Sequence, residues 1–407
     1  MKTLLSAYDC EPDKGSEPGV GWRWANGLAD RVELTVLTRE GNREVIGRAI
    51  AAMPEEADLR KVHFLYYDLA RPFLWAKKRG LLPTLGYYMI WQWAVAKRFA
   101  QEAEESDIVH HLTFCTLLCP GFWKLKTARF IVGPVGAPLV DERYLPLFGD
   151  KARIQGFRNR VLRNSTRLPW LRRLLLGAAA IVPANSETRK LLESQGIPVR
   201  EVMLDTGAPE ITNFIRQPRQ SGSLRLIYAG QLERRKGIEI SLRALALTSK
   251  QDGCDFSFDI FGSGPDRDRL VSMTEELGIA KQVKFHGAVP RERLMKNFQE
   301  ADAFLFTSVR DTSGGVNLEA MAHGLPVICI AHQGVGDITD ESGAERIPPG
   351  SISDTINGLA AAILRMASDP ERRARMGSAA AKRANECFPW EEKFDRMVKI
   401  YGEAVPR

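Results

Sequence analysis

LRLIYAGQLERRKGIEISLRALAL, from Leu224 to Leu247, contains the repeating unit of the chain. Leu224–Ala229 is an apolar, β-branched and aromatic run of strand length. Gly230 breaks it, and a polar turn carries Arg234, Arg235 and Lys236 to Gly237. From Ile238 to Leu247 the apolar residues return at helical spacing. A strand, a glycine-bounded turn and a helix in that order are half of a β-α-β crossover, which requires a parallel sheet.

The same unit recurs on both sides. Downstream, strands are expected at Phe256–Phe261, Val283–His286, Ala303–Thr307 and Pro326–Ile330, with a helix over Asp266–Leu277. Upstream, they are expected at Thr3–Tyr8, Val32–Thr38, Val62–Tyr67, Ile108–Thr113, Phe130–Gly133 and Ala179–Pro183. Runs of four to seven apolar residues suit strands buried on both faces. The fold class is α/β: two doubly wound, Rossmann-like domains, expected to face each other across a cleft. The division is 1–205, 206–387 and a tail, 388–407, with the boundary near 206–222. In such sheets ligands bind beyond the carboxyl ends of the strands. The tail carries Phe394, Met397, Val398 and Tyr401 at helical spacing and reads as an amphipathic helix that needs a surface to cover.

Composition narrows the classes. The chain has 407 residues, 44% hydrophobic and 26% charged, as in a soluble globular protein. Its six cysteines form no C-x-x-C pair and read as reduced thiols of a cytoplasmic protein, with no zinc site. The opening MKTLLSAYDCEP reads as a first strand, not a secretory leader, because Asp9 and Glu11 follow the short apolar run at once. Gly80 to Ala96 carries no charge but is interrupted by Pro83, Gly86 and Gln92 and falls short of a bilayer span. The net charge of +7 lies entirely in the first 205 residues. Residues 71–98 hold six basic residues and no acid, and residues 151–177 hold eight and none. Trp75, Trp91, Trp93 and Trp170 lie among them. Such a surface suits an anionic membrane, and equally a solvated basic face over a buried apolar one. No nucleic-acid recognition motif accompanies the charge.

Three stretches carry chemistry. GSEPGVGW, Gly15 to Trp22, follows the first strand and opens a helix, where glycines allow close approach and free amides attract phosphate. Its spacing is not G-x-G-x-x-G. Gly230 to Gly237 clusters three cations at a strand end, as a phosphate requires. The third, Asp311-Thr-Ser-Gly-Gly-Val-Asn-Leu-Glu319, sets two carboxylates eight apart around a Gly-Gly that starts a helix. Asp266-Arg267-Asp268 imitates a D-x-D metal motif, yet it sits at a helix start, where acids favour the dipole. His332, before Gly334-Val-Gly-Asp337, is a further candidate to line a site.

Together these stretches resemble the family-4 retaining glycosyltransferases of the GT-B fold. Gly230 to Lys236-Gly237 matches their Gly-x5-Lys-Gly element. Gly262-Ser-Gly-Pro265 matches a Gly-x-Gly-Pro loop, and Asp311 to Glu319, followed by Ala-Met-Ala-His-Gly-Leu-Pro-Val327, matches their Glu-x7-Glu element. Phe388-Pro-Trp390 resembles the start of the helix that crosses back to the first domain. GSEPGVGW and Val109 to Phe114 are similar to one subgroup. The resemblance implies transfer of a hexose from a nucleotide-sugar donor to a glycan or lipid-linked acceptor in polysaccharide assembly, without metal or other cofactor. It implies a cytoplasmic enzyme, with the basic first half a candidate for the inner membrane face. Lys236, with Arg235 beside it, would hold the diphosphate. Gly314, Gly315 and Val316 would offer amides to the donor, Glu319 would bind its ribose, and Gly230 and Gly262 would shape the loops. Gly19 would bring the first domain's loop to the diphosphate, and His110 or His111 would contact the donor sugar. The chain departs from the pattern twice: Asp311 replaces a Glu, and Gln231 replaces an Arg, for which Arg234 or Arg235 can substitute. A non-catalytic nucleotide-sugar-binding subunit and a sugar-nucleotide epimerase of the same fold are the alternatives.

Overall fold

The computed structural model describes residues 1–211, 223–251 and 255–405. The expected boundary near 206–222 falls largely outside them, as does Cys254. The chain forms two compact units: Met1–Ala137 with Leu162–Thr206 and Trp390–Arg407, and Pro138–Val161 with Gly207–Pro389.

The first unit is built on six parallel strands: β1 (Lys2–Ala7), β2 (Glu33–Arg39), β3 (His63–Tyr67), β4 (Ile108–Thr113), β5 (Arg129–Val135) and β6 (Ala180–Pro183). Their order is β3-β2-β1-β4-β5-β6, so the sheet reverses direction of build between β1 and β4. Apolar runs place these strands under helices on both faces, and every residue of β4 is buried. The helices of this half of the chain, in order, are α1 (Ser16–Leu28), α2 (Arg43–Ala51), α3 (Arg71–Lys78), α4 (Thr84–Arg98), α5 (Ala100–Glu104), α6 (Ala152–Asn164), α7 (Pro169–Gly177) and α8 (Ser186–Ser194); most of α6 belongs to the second unit. The uncharged stretch around Gly86 becomes α4, whose Tyr87, Tyr88, Trp91 and Val95 are core residues. Among the described residues no helix is long and apolar enough to cross a membrane.

The second unit repeats the plan. Its strands are β7 (Leu224–Ala229), β8 (Phe256–Phe261), β9 (Val283–Gly287), β10 (Ala303–Phe306), β11 (Val327–Ile330) and β12 (Ala344–Ile347), ordered β12-β11-β10-β7-β8-β9 and all parallel. The helices are α9 (Ile238–Thr248), α10 (Arg267–Glu276), α11 (Arg291–Glu300), α12 (Val316–Ala322), α13 (Gln333–Ile338), α14 (Ile352–Ser368) and α15 (Pro370–Cys387). The reversal lies between β7 and β10, the place where such sheets hold ligands.

A division by chain order differs from these units at Pro138–Val161, which belongs to the second. Specific bonds hold it there. The Tyr144 hydroxyl bonds Thr355 Oγ1 at 2.8 Å, and Arg234 donates to the Leu147 carbonyl at 3.1 Å. The tail helix, α16 (Trp390–Ala404), lies on α1 of the first unit, where Phe394 and Trp390 stack beside Trp24. The five described cysteines are free thiols; four are buried and Cys387, at the end of α15, is exposed.

Candidate active site

The loops that leave β7, β8 and β10 meet at the reversal point of the second sheet. Two glycines make this possible. Gly237 has φ +61°, and a Cβ there would stand 2.1 Å from the Thr307 carbonyl. A Cβ on Gly262 would stand 1.8 Å from the Gly230 carbonyl, so the β7 and β8 loops touch backbone to backbone. Gly230 and Gly262 therefore set the loop shape. The ion-forming side chains sit on the frame they create.

Lys236 ends a short 3₁₀ turn, Arg234–Lys236, and is buried. Its ammonium pairs with the Asp311 carboxylate and lies 5.4 Å from the centre of the Phe306 ring. Burial opposes ionisation of Asp311, but Lys236, Arg235 and the Gly314 amide outweigh it and hold the carboxyl below its usual range. Asp311 is thus ionised at neutral pH. The loop after β10 is tied to the loop after β7 by Val309 N–H to the Arg235 carbonyl, 2.9 Å, and by Thr307 Oγ1 to the Gly237 carbonyl, 2.9 Å.

Arg235 donates to Glu233, 2.6 Å, and to Gln231 Oε1, 2.7 Å. Gln231, where the resembled pattern has a cation, therefore orients one. Arg234 is committed elsewhere, to Glu239, Asp266 and the Leu147 carbonyl. Asp266 precedes α10 without capping it and instead holds Arg234 and Arg269, while Asp268 is exposed beside Arg267. Among the described residues no cluster of His, Cys, Asp and Glu has the form of a metal site.

Gly314, Gly315 and Val316 enter α12, and Glu319 lies in its first turn. A 2.9 Å ion pair from Arg291, at the start of α11, holds the Glu319 carboxylate. His332 is buried and bonds the Ser308 carbonyl at 2.8 Å, supporting the β10 loop. Three residues that the sequence did not single out also belong here. Gln333 accepts from the Asp311 amide and donates to Leu139. Arg310 donates to Gln155 Oε1 of α6 at 2.6 Å. Arg158, one turn further along α6, donates to the Pro138 carbonyl at 2.8 Å. Gln155 and Arg158 lie far from the motifs in sequence, and only the fold joins them.

Apart from α6 and the residues just before it, this constellation lies within the part of the chain that matches a known family. Residues 210–383 match the family described as Glycosyl transferases group 1. The match covers most of the second unit. Relatives of the chain include the glycogen synthase of Mycobacterium tuberculosis, 29% identical over 200 residues that make up 47% of this chain and 46% of that protein. The D-inositol 3-phosphate glycosyltransferase of Corynebacterium jeikeium is 30% identical over 186 residues, 44% of this chain and 43% of that one. The matches thus span about half the length of these curated relatives. In three dimensions the chain is similar to the sucrose-phosphate synthase of Thermosynechococcus elongatus, with TM-score 0.64, 18% identity and 98% of both chains covered. That likeness shows the fold: two parallel-sheet, Rossmann-like domains of the GT-B class.

Outside the matched residues, the remaining sequence candidates sit in the first unit. Gly19 lies in the first turn of α1, and its missing Cβ makes room for the Lys14 carbonyl, which would otherwise be 1.9 Å away. His110 is enclosed: Nδ1 bonds the Tyr401 hydroxyl at 2.6 Å and Nε2 bonds the Gly133 carbonyl. Burial pulls its pKa down to about 4, against the opposing pull of that carbonyl. With both ring nitrogens engaged, His110 has none to offer a sugar. It is a core histidine under α16, which corrects its place among the sugar contacts. His111 bonds the Tyr88 hydroxyl at 3.0 Å, and its Nδ1 has no partner among the described residues. Burial, then His110, lower its pKa to about 3. Of the two, only His111 keeps a free nitrogen.

Proposed function

We propose that the chain is a glycosyltransferase that moves a hexose from a nucleoside-diphosphate sugar to a glycan or lipid-linked acceptor, with retention at the anomeric carbon, in polysaccharide assembly. One observation carries the proposal: Lys236, Asp311 and Arg235 converge at the reversal point of the second unit's sheet, beside the turn that opens α12. The names of the relatives, a glycogen synthase and an inositol-phosphate glycosyltransferase, support transfer of sugars.

The glycosidic bond between the anomeric carbon and the diphosphate oxygen breaks, leaving the electron pair on the diphosphate. Negative charge then grows where Lys236 and Arg235 stand, so their attraction is greatest in the transition state. Gly314, Gly315 and Val316 present amides to the donor, and Asp311 and Glu319 accept hydroxyls of its sugar and ribose. The acceptor hydroxyl attacks from the leaving-group side, and a phosphate oxygen takes its proton. The cations supply the neutralisation that a metal provides in other enzymes, so no cofactor is required. The first unit, with its basic segment 71–98, is assigned the acceptor and the cytoplasmic face of an anionic membrane.

A screen of UDP-, GDP-, ADP- and dTDP-sugars with and without acceptor tests the proposal. Lys236→Ala should lower turnover by roughly 10²–10³-fold, the loss typical of one anion-stabilising donor. Unchanged turnover in the folded variant rejects the assignment. Turnover without acceptor would mark an epimerase, and binding without turnover a carrier subunit.

A further inference from the structure

Arg158, Arg235 and Arg310 come from three segments of the second unit and gather at one place. The Ser308 hydroxyl bonds the Arg235 carbonyl at 3.1 Å and the Arg310 carbonyl at 3.2 Å, which fixes the two backbones side by side. The Arg310 guanidinium reaches Gln155 of α6, and Arg158 stands three residues on, so it shares that face of the helix. The acceptors around these groups are mostly neutral. Gln155 and the Pro138 carbonyl serve Arg310 and Arg158, and among the described residues neither arginine pairs with a carboxylate within 4.0 Å. Arg235 shares its charge with Glu233. Asp311, the other nearby acid, is held by Lys236. The neighbourhood thus holds four cations against two carboxylates.

Gathering cations in a partly buried place is costly. Burial, Arg158 and Arg235 together lower the Arg310 pKa to about 9, with Glu233 and Asp311 pulling back. Burial and Arg235 lower that of Arg158 to about 10. A fold that keeps an uncompensated charge in this way is prepared for a mobile partner of opposite sign. Guanidinium groups suit phosphate oxygens, which they bind in a planar, forked manner.

We infer that Arg158, Arg235 and Arg310 form a cradle for a diphosphate anion, with Gln231 as the positioning residue that aims Arg235. The inference rests on the donor reading above for the source of the diphosphate, the nucleotide-sugar. It adds what that reading does not contain: a helix from the first half of the chain, α6, supplies a cation to the donor anion, and Arg310 supplies the charge absent at position 231.

Calorimetric titration of the full chain with inorganic pyrophosphate, a nucleoside diphosphate and a sugar monophosphate tests this. The variants are Arg158→Gln and Arg310→Gln, with Arg153→Gln, an exposed cation of the same helix, as the control for net charge. Each cradle variant should raise the Kd for pyrophosphate and for the nucleoside diphosphate by about ten-fold or more, the range of a lost charge-assisted bond. Arg153→Gln should leave both unchanged. Without ligand, the melting temperature of the cradle variants should not fall, because each removes an uncompensated charge. Unchanged Kd values in folded Arg158→Gln and Arg310→Gln overturn the cradle, as does arginine-dependent binding of the sugar monophosphate alone. A lowered melting temperature with unchanged Kd would make the arginines struts and also overturns it. The two proposals fail separately. Arginine-dependent pyrophosphate binding without turnover on any nucleotide-sugar sinks the donor reading and keeps the cradle. Turnover indifferent to both arginines does the reverse.

Discussion

Glu17 opens α1 with its carboxylate enclosed against the Cys115 amide, 3.2 Å away. Burial, then the Asp205 carboxylate, raise its pKa from 4.5 to about 8, while the Cys115 amide pulls the other way. The folded chain therefore binds more protons than the unfolded chain between those two values. Stability from this group is complete below about 4.5 and falls as pH climbs towards 8. Thermal unfolding of the protein should accordingly worsen from pH 5 to 9, by on the order of 2–4 kcal/mol from this residue. Glu17→Gln should flatten that slope; an unchanged slope in the variant would show that Glu17 is ionised throughout. GSEPGVGW made Glu17 visible only as part of a loop. Its neighbours Asp205 and Cys115 lie about a hundred residues or more away, and the protonated state depends on them. The same gap hid Arg158 and Arg310, whose meaning lies in each other. Lys236, Asp311 and Glu319 were legible because one local turn and one helix start carry them. The adjacent histidines were legible as a pair and no further. Alternate strand residues face opposite sides of a sheet, so one ring met Tyr401 of α16 and the other met Tyr88 of α4.

The helix α16 is fastened by a glycine. A Cβ at Gly27 of α1 would fall 2.0 Å from the Phe394 ring, so the two helices meet only because position 27 has no side chain. Arg31 completes the joint, reaching Glu391 at 2.7 Å and Asp395 at 2.8 Å. Gly27→Ala should destabilise the first unit by about 1–3 kcal/mol through overpacking. Phe394→Ala, costly alone, should be much less costly in the Gly27→Ala background. Additive losses in that double-mutant cycle would show that the contact is not the cause. The amphipathic spacing of Phe394, Met397 and Tyr401 announced this helix, since its apolar face had to be covered. The strands were legible where β-branched, aromatic or aliphatic residues recur closely along them: β4, β7 and β8 occupy the expected residues. The strand β12 was not anticipated, because Ala344-Glu-Arg-Ile347 has no apolar run to announce it. Its Glu345 is held by Arg365 and Arg372 from α14 and α15, so its strand identity comes from tertiary partners.

The uneven charge of the whole chain has a physical form in the first unit. On α3 and α4 the aromatic residues that escape the core stand beside cations. The Arg79 guanidinium lies 4.9 Å from the Trp75 ring, and the Lys97 ammonium 3.8 Å from the Trp93 ring. Trp75 and Trp93 are half exposed, as is Phe73. A purely solvated basic face would not need indoles in water. An interfacial surface uses both components: rings enter the headgroup layer and cations meet its phosphates. The protein should therefore sediment with vesicles containing anionic lipid more than with neutral phosphatidylcholine vesicles, and less as salt rises past the point where the Debye length falls below about 8 Å. At roughly 1 kcal/mol for each basic residue near the surface, Arg79→Ala with Lys97→Ala should weaken binding about thirty-fold. Trp75→Ala with Trp93→Ala should weaken it on both kinds of vesicle, because the rings contribute through burial and not through charge. Sedimentation that ignores lipid charge and salt would leave the basic segments as solvent-facing cover for the core below them.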